Sequence, residues 1–217
     1  MISGFKPFYD AVSVLQNSNN GELTAGMPVK RFEETFIKYL TQAEIERFFS
    51  VIESPRDRAL FGTIYHYGLR VSEATVLSVH SIDFNRQTIY IHRLKGGRSG
   101  QKPLLANTAR LLKVYLPVRE PTGERLFTGR EGTLGRHRIG QLFLHYANRV
   151  GISGYSVHSL RHSIATHMLG AGFSIEVVQD HLGHRNIQST LIYAQMTDEP
   201  RRKAFAQLEK SPLIVKF

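Results

Sequence analysis

A chain of 217 residues with 28 Lys and Arg against 18 Asp and Glu carries a formal net charge of +10, which points to a polyanionic partner, nucleic acid ahead of an anionic membrane surface. It has no cysteine and is 41% hydrophobic, so disulfides and thiolate-held zinc are excluded while a substantial core is available. No apolar run is long enough to span a bilayer and the N-terminus lacks a secretory pattern, so no membrane partner is expected, and the missing cysteines suit a reducing cytoplasm.

Residues 1–39 read as an arm and linker, with polar Asn17–Gly26 as a loop and Phe5–Leu15 as a short helix or packed arm. Thr41 and Glu44 form a capping box, followed by Ile45, Phe48, Phe49 and Ile52 on one helical face. Ser54-Pro55 supplies an N-cap and a proline at N1 for a second helix through Leu60, Phe61, Ile64 and Tyr65, which closes at Gly68. Arg70 follows in the phrase YGLRVSE, with Glu73 three residues on. The pair fits an arginine with its orienting carboxylate, or a structural ion pair.

Ser81–Asn85 reads as a turn, Thr88–His92 as a strand, Gly96, Gly97 and Gly100 as a flexible hairpin tip, and Pro103–Leu105 as the return strand. The segment RLKGGRSGQK holds Arg93, Lys95, Arg98 and Lys102 and no acid, a phosphate-tracking pattern. Asn107 is expected to cap a helix over Thr108–Val118, Leu126-Phe127 to form a short strand, and Ile139–Val150 an amphipathic helix.

Most of the chemically capable side chains gather in Val157–Tyr193. His158, Arg161 and His162 share one helical face, with Leu160, Ile164, Ala165, Met168 and Leu169 on the buried side. Gly172 stops that helix; Ser174 opens another that runs to about Leu182 and ends at Gly183. His184 then lies just past a helix C-terminus, with Tyr193 on the short helical segment after it. A helix over Pro200–Glu209 and a basic tail with an apolar end complete the chain. The class is mainly α with one small antiparallel sheet, an α+β fold.

A phenol, two imidazoles and an arginine in one place make a site for an anion. A metal site is not expected: His162 and His167 stand five apart and share no face, and HExxH is absent. For His167 and His181 a partly buried, hydrogen-bonded ring is the expectation. Neither a GxxxxGK[ST] nor a GxGxxG loop is present, and there is no GxSxG elbow. Phosphoryl chemistry without a nucleoside triphosphate has to store its bond energy covalently.

In this order and spacing the motifs resemble the catalytic domain of the tyrosine recombinase (phage integrase) family, over residues 40–195. GLRVSE matches the family's first arginine at Arg70 and its acidic position at Glu73; HSLRH matches its HxxR at His158 and Arg161. LGH supplies His184, and Tyr193, nine residues later, falls at the spacing of the family's nucleophile. The hairpin lysine best matches Lys95, with Lys102 as the fallback. The phrases IYIHRLK and QDHLGHRN look most like the short invertases that flip fimbrial promoter segments.

The resemblance implies an arm over 1–39, a tyrosine recombinase catalytic domain over 40–199, and a helix and tail over 200–217 that docks on a neighbouring subunit or folds back as a lid. Family members carry a helical core-binding domain first, whereas 40 residues precede Thr41 here, so a minimal recombinase or a catalytic fragment is expected. It further implies that Tyr193 attacks a DNA phosphodiester to give a 3′-phosphotyrosyl intermediate and a free 5′-hydroxyl. His158 would be the base, Arg70, Arg161 and His184 would hold the non-bridging oxygens, and Lys95 would protonate the leaving oxygen. Glu73 would hold Arg70 or His158 in place. Arg93, Arg98, Lys102 and His162 are expected to contact DNA, although packing explains His162 equally well.

Phosphoester is exchanged for phosphoester, so no cofactor and no metal is required. The expected partners are double-stranded DNA, further copies making a homotetramer on paired sites, and accessory DNA-bending proteins. The function implied is site-specific recombination by integration, excision or inversion. A type IB-like topoisomerase is the alternative use of the same chemistry. A DNA-binding regulator that lost the reaction is the alternative of another class, disfavoured because every expected position holds a competent residue.

Overall fold

The structure is a computed structural model and describes residues 37–94, 96–120, 123–129, 132–194 and 205–206. The N-terminal arm up to residue 36, Lys95 and the tail other than Phe205 and Ala206 lie outside the described residues; those two are helical.

Helix α1 (Gln42–Ser50) starts on the Thr41–Glu44 capping box and α2 (Pro55–Tyr67) on Ser54 with Pro55 at N1, as the sequence predicts. Almost every inward position of α2 is apolar, and it packs between α4 (Ala106–Tyr115) and α6 (Val157–Gly170). Phe48, Phe61, Phe143 and Tyr146 interlock edge-to-face or tilted at its centre, with centroids 5.0–6.5 Å apart, the separation at which aromatic quadrupoles attract. Phe143 and Tyr146 come from α5 (Arg136–Arg149). α3 (Val71–Val76) is a short helix that periodicity did not reveal.

A three-stranded antiparallel sheet runs in the order β1 (Ile82–Asp83), β2 (Thr88–Ile91), β3 (Gly100–Pro103). β1 replaces part of the turn expected at Ser81–Asn85. The return strand lies earlier than expected, with Ile91 opposite Gly100 and Thr88 opposite Pro103. Pro103 is tolerated because it ends the ladder. The expected Asn107 cap is also displaced: α4 starts at Ala106 because the Tyr67 hydroxyl accepts the Leu105 N–H at 2.9 Å and fixes the strand-to-helix corner. A tertiary partner outweighs the local cap there. The expected strand at Leu126-Phe127 is a two-residue ribbon of β4 (Thr128–Gly129) and β5 (Gly132–Thr133), while Leu126 and Phe127 are fully buried.

α7 (Ile175–Leu182) starts at Ser174 and stops at Gly183 in the left-handed conformation, and α8 (Gln188–Ala194) follows. These two helices and the end of α6 form a second, small core: Ala165, Leu169, Val178, Leu182 and Tyr193, separate from the main cluster. Among the described residues no helix is long and apolar enough to cross a membrane.

Gly68 joins the two cores. It ends α2 at φ 55°, and a Cβ there would lie 2.5 Å from Leu182 Cδ2. Gly68→Ala therefore meets left-handed strain of about 1–2 kcal/mol and an overpacking cost of about 1–2 kcal/mol. The expected result is a melting temperature lowered by roughly 10 °C. A thermal melt unchanged from wild type would show that α7 yields freely.

Candidate active site

The end of α2 sets up the site. The Gly68 carbonyl faces inward and accepts from Arg93 Nη1 at 3.3 Å and from Arg161 Nη1. Two residues on, Arg70 is the N-cap of α3, and Glu73 reaches back to accept its backbone N–H at 2.9 Å. This carboxylate, 1% exposed, is the hub. Its Oε1 takes Arg70 Nη1 at 2.9 Å, its Oε2 takes Arg93 Nη1 at 2.7 Å, and Arg161 Nη1 stands 4.0 Å away. Burial would raise the Glu73 pKa, but Arg93 and the hydrogen bonds from Arg70 and Arg93 outweigh it and hold it below its usual value. Three guanidiniums share one carboxylate, an uncompensated excess of positive charge.

Arg161, from α6, is 1% exposed and donates through Nη2 to the Leu182 carbonyl at 3.0 Å and to His184 Nε2 at 2.8 Å. Burial first, then Arg70 and Arg93, lowers its pKa to about 10, so it stays charged at neutral pH. An arginine cannot accept a hydrogen bond, so His184 Nε2 is unprotonated and Nδ1–H donates to Thr190 Oγ1 at 2.9 Å. Burial and then Arg161 push the His184 pKa down to about 4. In this arrangement its one N–H serves Thr190, and the imidazole braces Arg161 instead of presenting a donor to an incoming oxygen, the role expected for it.

Tyr193 projects from α8 into the small core and is 2% exposed. Its hydroxyl lies 2.8 Å from His162 Nδ1. Burial raises its pKa, opposed by the positive field of Arg161 and Arg70. His158 sits one turn before His162, exposed, with the two rings edge-to-face at 4.4 Å. The structure thus brings Arg70, Glu73, Arg161, His184, His158 and Tyr193 to one place.

The hairpin residues separate. Lys95 lies outside the described residues. Arg98 is exposed, and its backbone N–H donates to the Gly183 carbonyl at 3.1 Å. Lys102 is tied to the Asp180 carboxylate, and to its carbonyl at 3.2 Å. Arg93 corrects the expectation of a DNA-facing residue: it is 4% exposed and donates to Glu73, Gly68 and, through Nη2, to the Tyr67 carbonyl at 2.9 Å and the His181 carbonyl at 2.7 Å. The sequence carried that signal. Ile89, Ile91 and Arg93 share strand parity, and both isoleucines are buried while Tyr90 and His92 are exposed. His162, left open between DNA contact and packing, is half-buried and places Nδ1 beside the Tyr193 hydroxyl. The pairing spans 31 residues, beyond local periodicity. His181, stacked on Tyr67 with centroids 6.5 Å apart, is half-buried, and its buried Nε2 is unpartnered among the described residues.

Residues 38–199 match the model of the phage integrase family. The tyrosine recombinase XerA of Thermococcus onnurineus is 38% identical over 183 residues, covering 82% of this chain and 64% of that protein. XerC of Neisseria meningitidis serogroup B is 37% identical over 145 residues, covering 65% of this chain and 48% of that protein. Among solved structures, a XerA recombinase crystal structure aligns with TM-score 0.69 at 24% identity, covering 80% of this chain and 66% of that one. A XerH recombinase bound to a palindromic difH substrate, in a post-cleavage complex, aligns with TM-score 0.66 at 25% identity, covering 80% of this chain and 54% of that one. The chain spans just under two thirds of the length of the XerA relatives it matches. These likenesses bear on the family; the narrower likeness to fimbrial invertases stays an expectation from sequence.

Proposed function

The chain belongs to the phage integrase family, and on that premise we propose that it is a site-specific recombinase cutting and rejoining duplex DNA through a 3′-phosphotyrosyl link at Tyr193. The observation that carries this reading is the Glu73 hub. Three arginines around one buried carboxylate, beside a buried phenol, leave an excess of positive charge among the described residues that Glu73 alone does not balance. A scissile phosphate is the anion that fits.

In this reading Arg70, which is partly exposed and has donors to spare beyond Glu73, takes a non-bridging oxygen. Arg161 supplies its field from below and is held rigid by Gly68, Leu182 and His184, the preorganisation that makes electrostatic stabilisation effective. Tyr193 loses its proton to an imidazole of the His158–His162 pair and attacks phosphorus. Lys95 protonates the departing 5′ oxygen; the tie of Lys102 to Asp180 makes Lys102 the weaker candidate. Exposed Arg98 and the basic tail would contact flanking phosphates. A homotetramer on paired sites, accessory DNA-bending proteins and a tail that docks on a neighbour belong to the same proposal, as do the division into arm, catalytic domain and tail and a location at DNA.

The test uses nicked duplexes enriched from a random library by binding to the full chain. A protein–DNA adduct resistant to denaturation, with the modified peptide containing Tyr193 by mass spectrometry, is the expected result. Binding without adduct would favour the regulator. Adduct formation with relaxation of supercoiled plasmid irrespective of sequence would favour the topoisomerase.

A further inference from the structure

We infer that His162, and not His158, takes the Tyr193 proton as the phenol attacks, and that it holds the ring in the small core until then. This rests on the reading of Tyr193 as nucleophile. The geometry is direct: Nδ1 stands 2.8 Å from Oη, within the reach required of a general base. His158 makes no hydrogen bond to Tyr193 among the described residues and touches His162 only ring to ring. A phenol is the stronger donor of the pair and a neutral imidazole nitrogen the stronger acceptor. Tyr193 therefore donates, and His162 carries its own proton on Nε2.

The surroundings keep that lone pair available. Among the described residues, the groups facing His162 are His158 and Arg161 on its own helix and Tyr193 from α8. Burial, reinforced by His158 and Arg161, lowers its pKa to about 4, so the ring is neutral at physiological pH. In the cleavage step the Oη–H bond breaks toward Nδ1, leaving imidazolium. The Oη–P bond forms, the P–O5′ bond breaks, and the 5′ oxygen takes a proton from a lysine ammonium. Rejoining reverses each transfer: the lysine amine takes the 5′-hydroxyl proton as that oxygen attacks, and the imidazolium returns its proton to Oη.

The sequence reading missed this because His158 holds the family's motif position. The imidazole one turn later is the one that α8 meets.

A nicked duplex with a 5′-bridging phosphorothiolate isolates the step, since a sulfur leaving group needs no proton. His162→Asn places Oδ1 where Nδ1 stood, keeping the hydrogen bond while removing proton acceptance. It is expected to bind DNA and melt like wild type but to form adduct about 100-fold more slowly. Its rate should climb about tenfold per pH unit as hydroxide takes over the base role, while the wild-type rate stays level down to about pH 5.5. His158→Asn should cost far less on this substrate. A His162→Asn enzyme with wild-type rate and pH profile, or a loss confined to His158→Asn, overturns the inference. Nitrogen-15 NMR of the wild-type His162 ring reads it without any variant, with Nε2–H expected and Nδ1–H overturning it. If Tyr193→Phe still forms the adduct, the underlying nucleophile reading fails instead, and the two failures are distinct.

Discussion

Tyr193→Phe is expected to drop adduct formation by on the order of 10⁴-fold or more, the scale on which loss of a nucleophile disables other covalent enzymes. Duplex binding should stay within about twofold, because phosphate contacts and not the phenol hold the duplex. The cost to the fold is modest: His162 Nδ1 loses its partner in a half-buried site, worth about 1 kcal/mol. A denaturing gel, a binding titration and a thermal melt on the same preparation check all three. If binding fell as far as cleavage, the phenol would be part of the DNA-binding surface and the proposed role of Tyr193 would be wrong.

Glu73→Ala should be the most damaging single change to the fold. Arg93 is sealed against the Tyr67, Gly68 and His181 carbonyls, and Glu73 is its counter-ion. Removing the carboxylate leaves a buried guanidinium without its hydrogen-bonded counter-ion, a loss of about 3–5 kcal/mol, or roughly 10 °C in melting temperature for a chain of this size. Arg70 loses its tether in the same stroke, so cleavage should fall as well. The sign of the pH dependence follows from the depressed Glu73 pKa. A carboxylate held below its unfolded value adds stability that is complete above that value and lost as pH falls through the folded one. The wild-type advantage over Glu73→Ala should therefore be full at pH 6–7 and shrink well below pH 4.5, the unperturbed value. Melts across that range decide it. A gap that widens toward acid would exclude the ion-pair account.

Local signals wrote much of this fold into the chain. The Thr41 box, the Ser54-Pro55 start, Gly68, Ser174 and Gly183 each fix an end by their own backbone chemistry, and each stands where the sequence put it. The boundaries that moved are those set by a distant partner, as where the Tyr67 hydroxyl displaces the Asn107 cap. The site divides the same way. Motif spacing brought Arg70, Arg161, His184 and Tyr193 together. The hydrogen bonds that assign work among them, His162 to Tyr193 and His184 to Arg161, cross turns that spacing does not encode. Arg93 was legible but outvoted, since a basic hairpin suggested DNA while strand parity pointed inward.

The burial of Arg93 and Arg161 also bears on how the protein responds to ionic strength. A cation releases condensed counterions from DNA only where it replaces them at a phosphate, about 0.9 ion per contact. Arg93 is spent on internal carbonyls and on Glu73, and it contributes nothing to that count. Added salt would strip the contacts proposed for surface cations such as Arg98, and screening weakens exposed pairs far more than buried ones. Affinity for the duplex should then fall steeply with salt while the field on a phosphate already seated changes little. Salt would govern whether the protein is on DNA and hardly touch how fast a bound strand is cut.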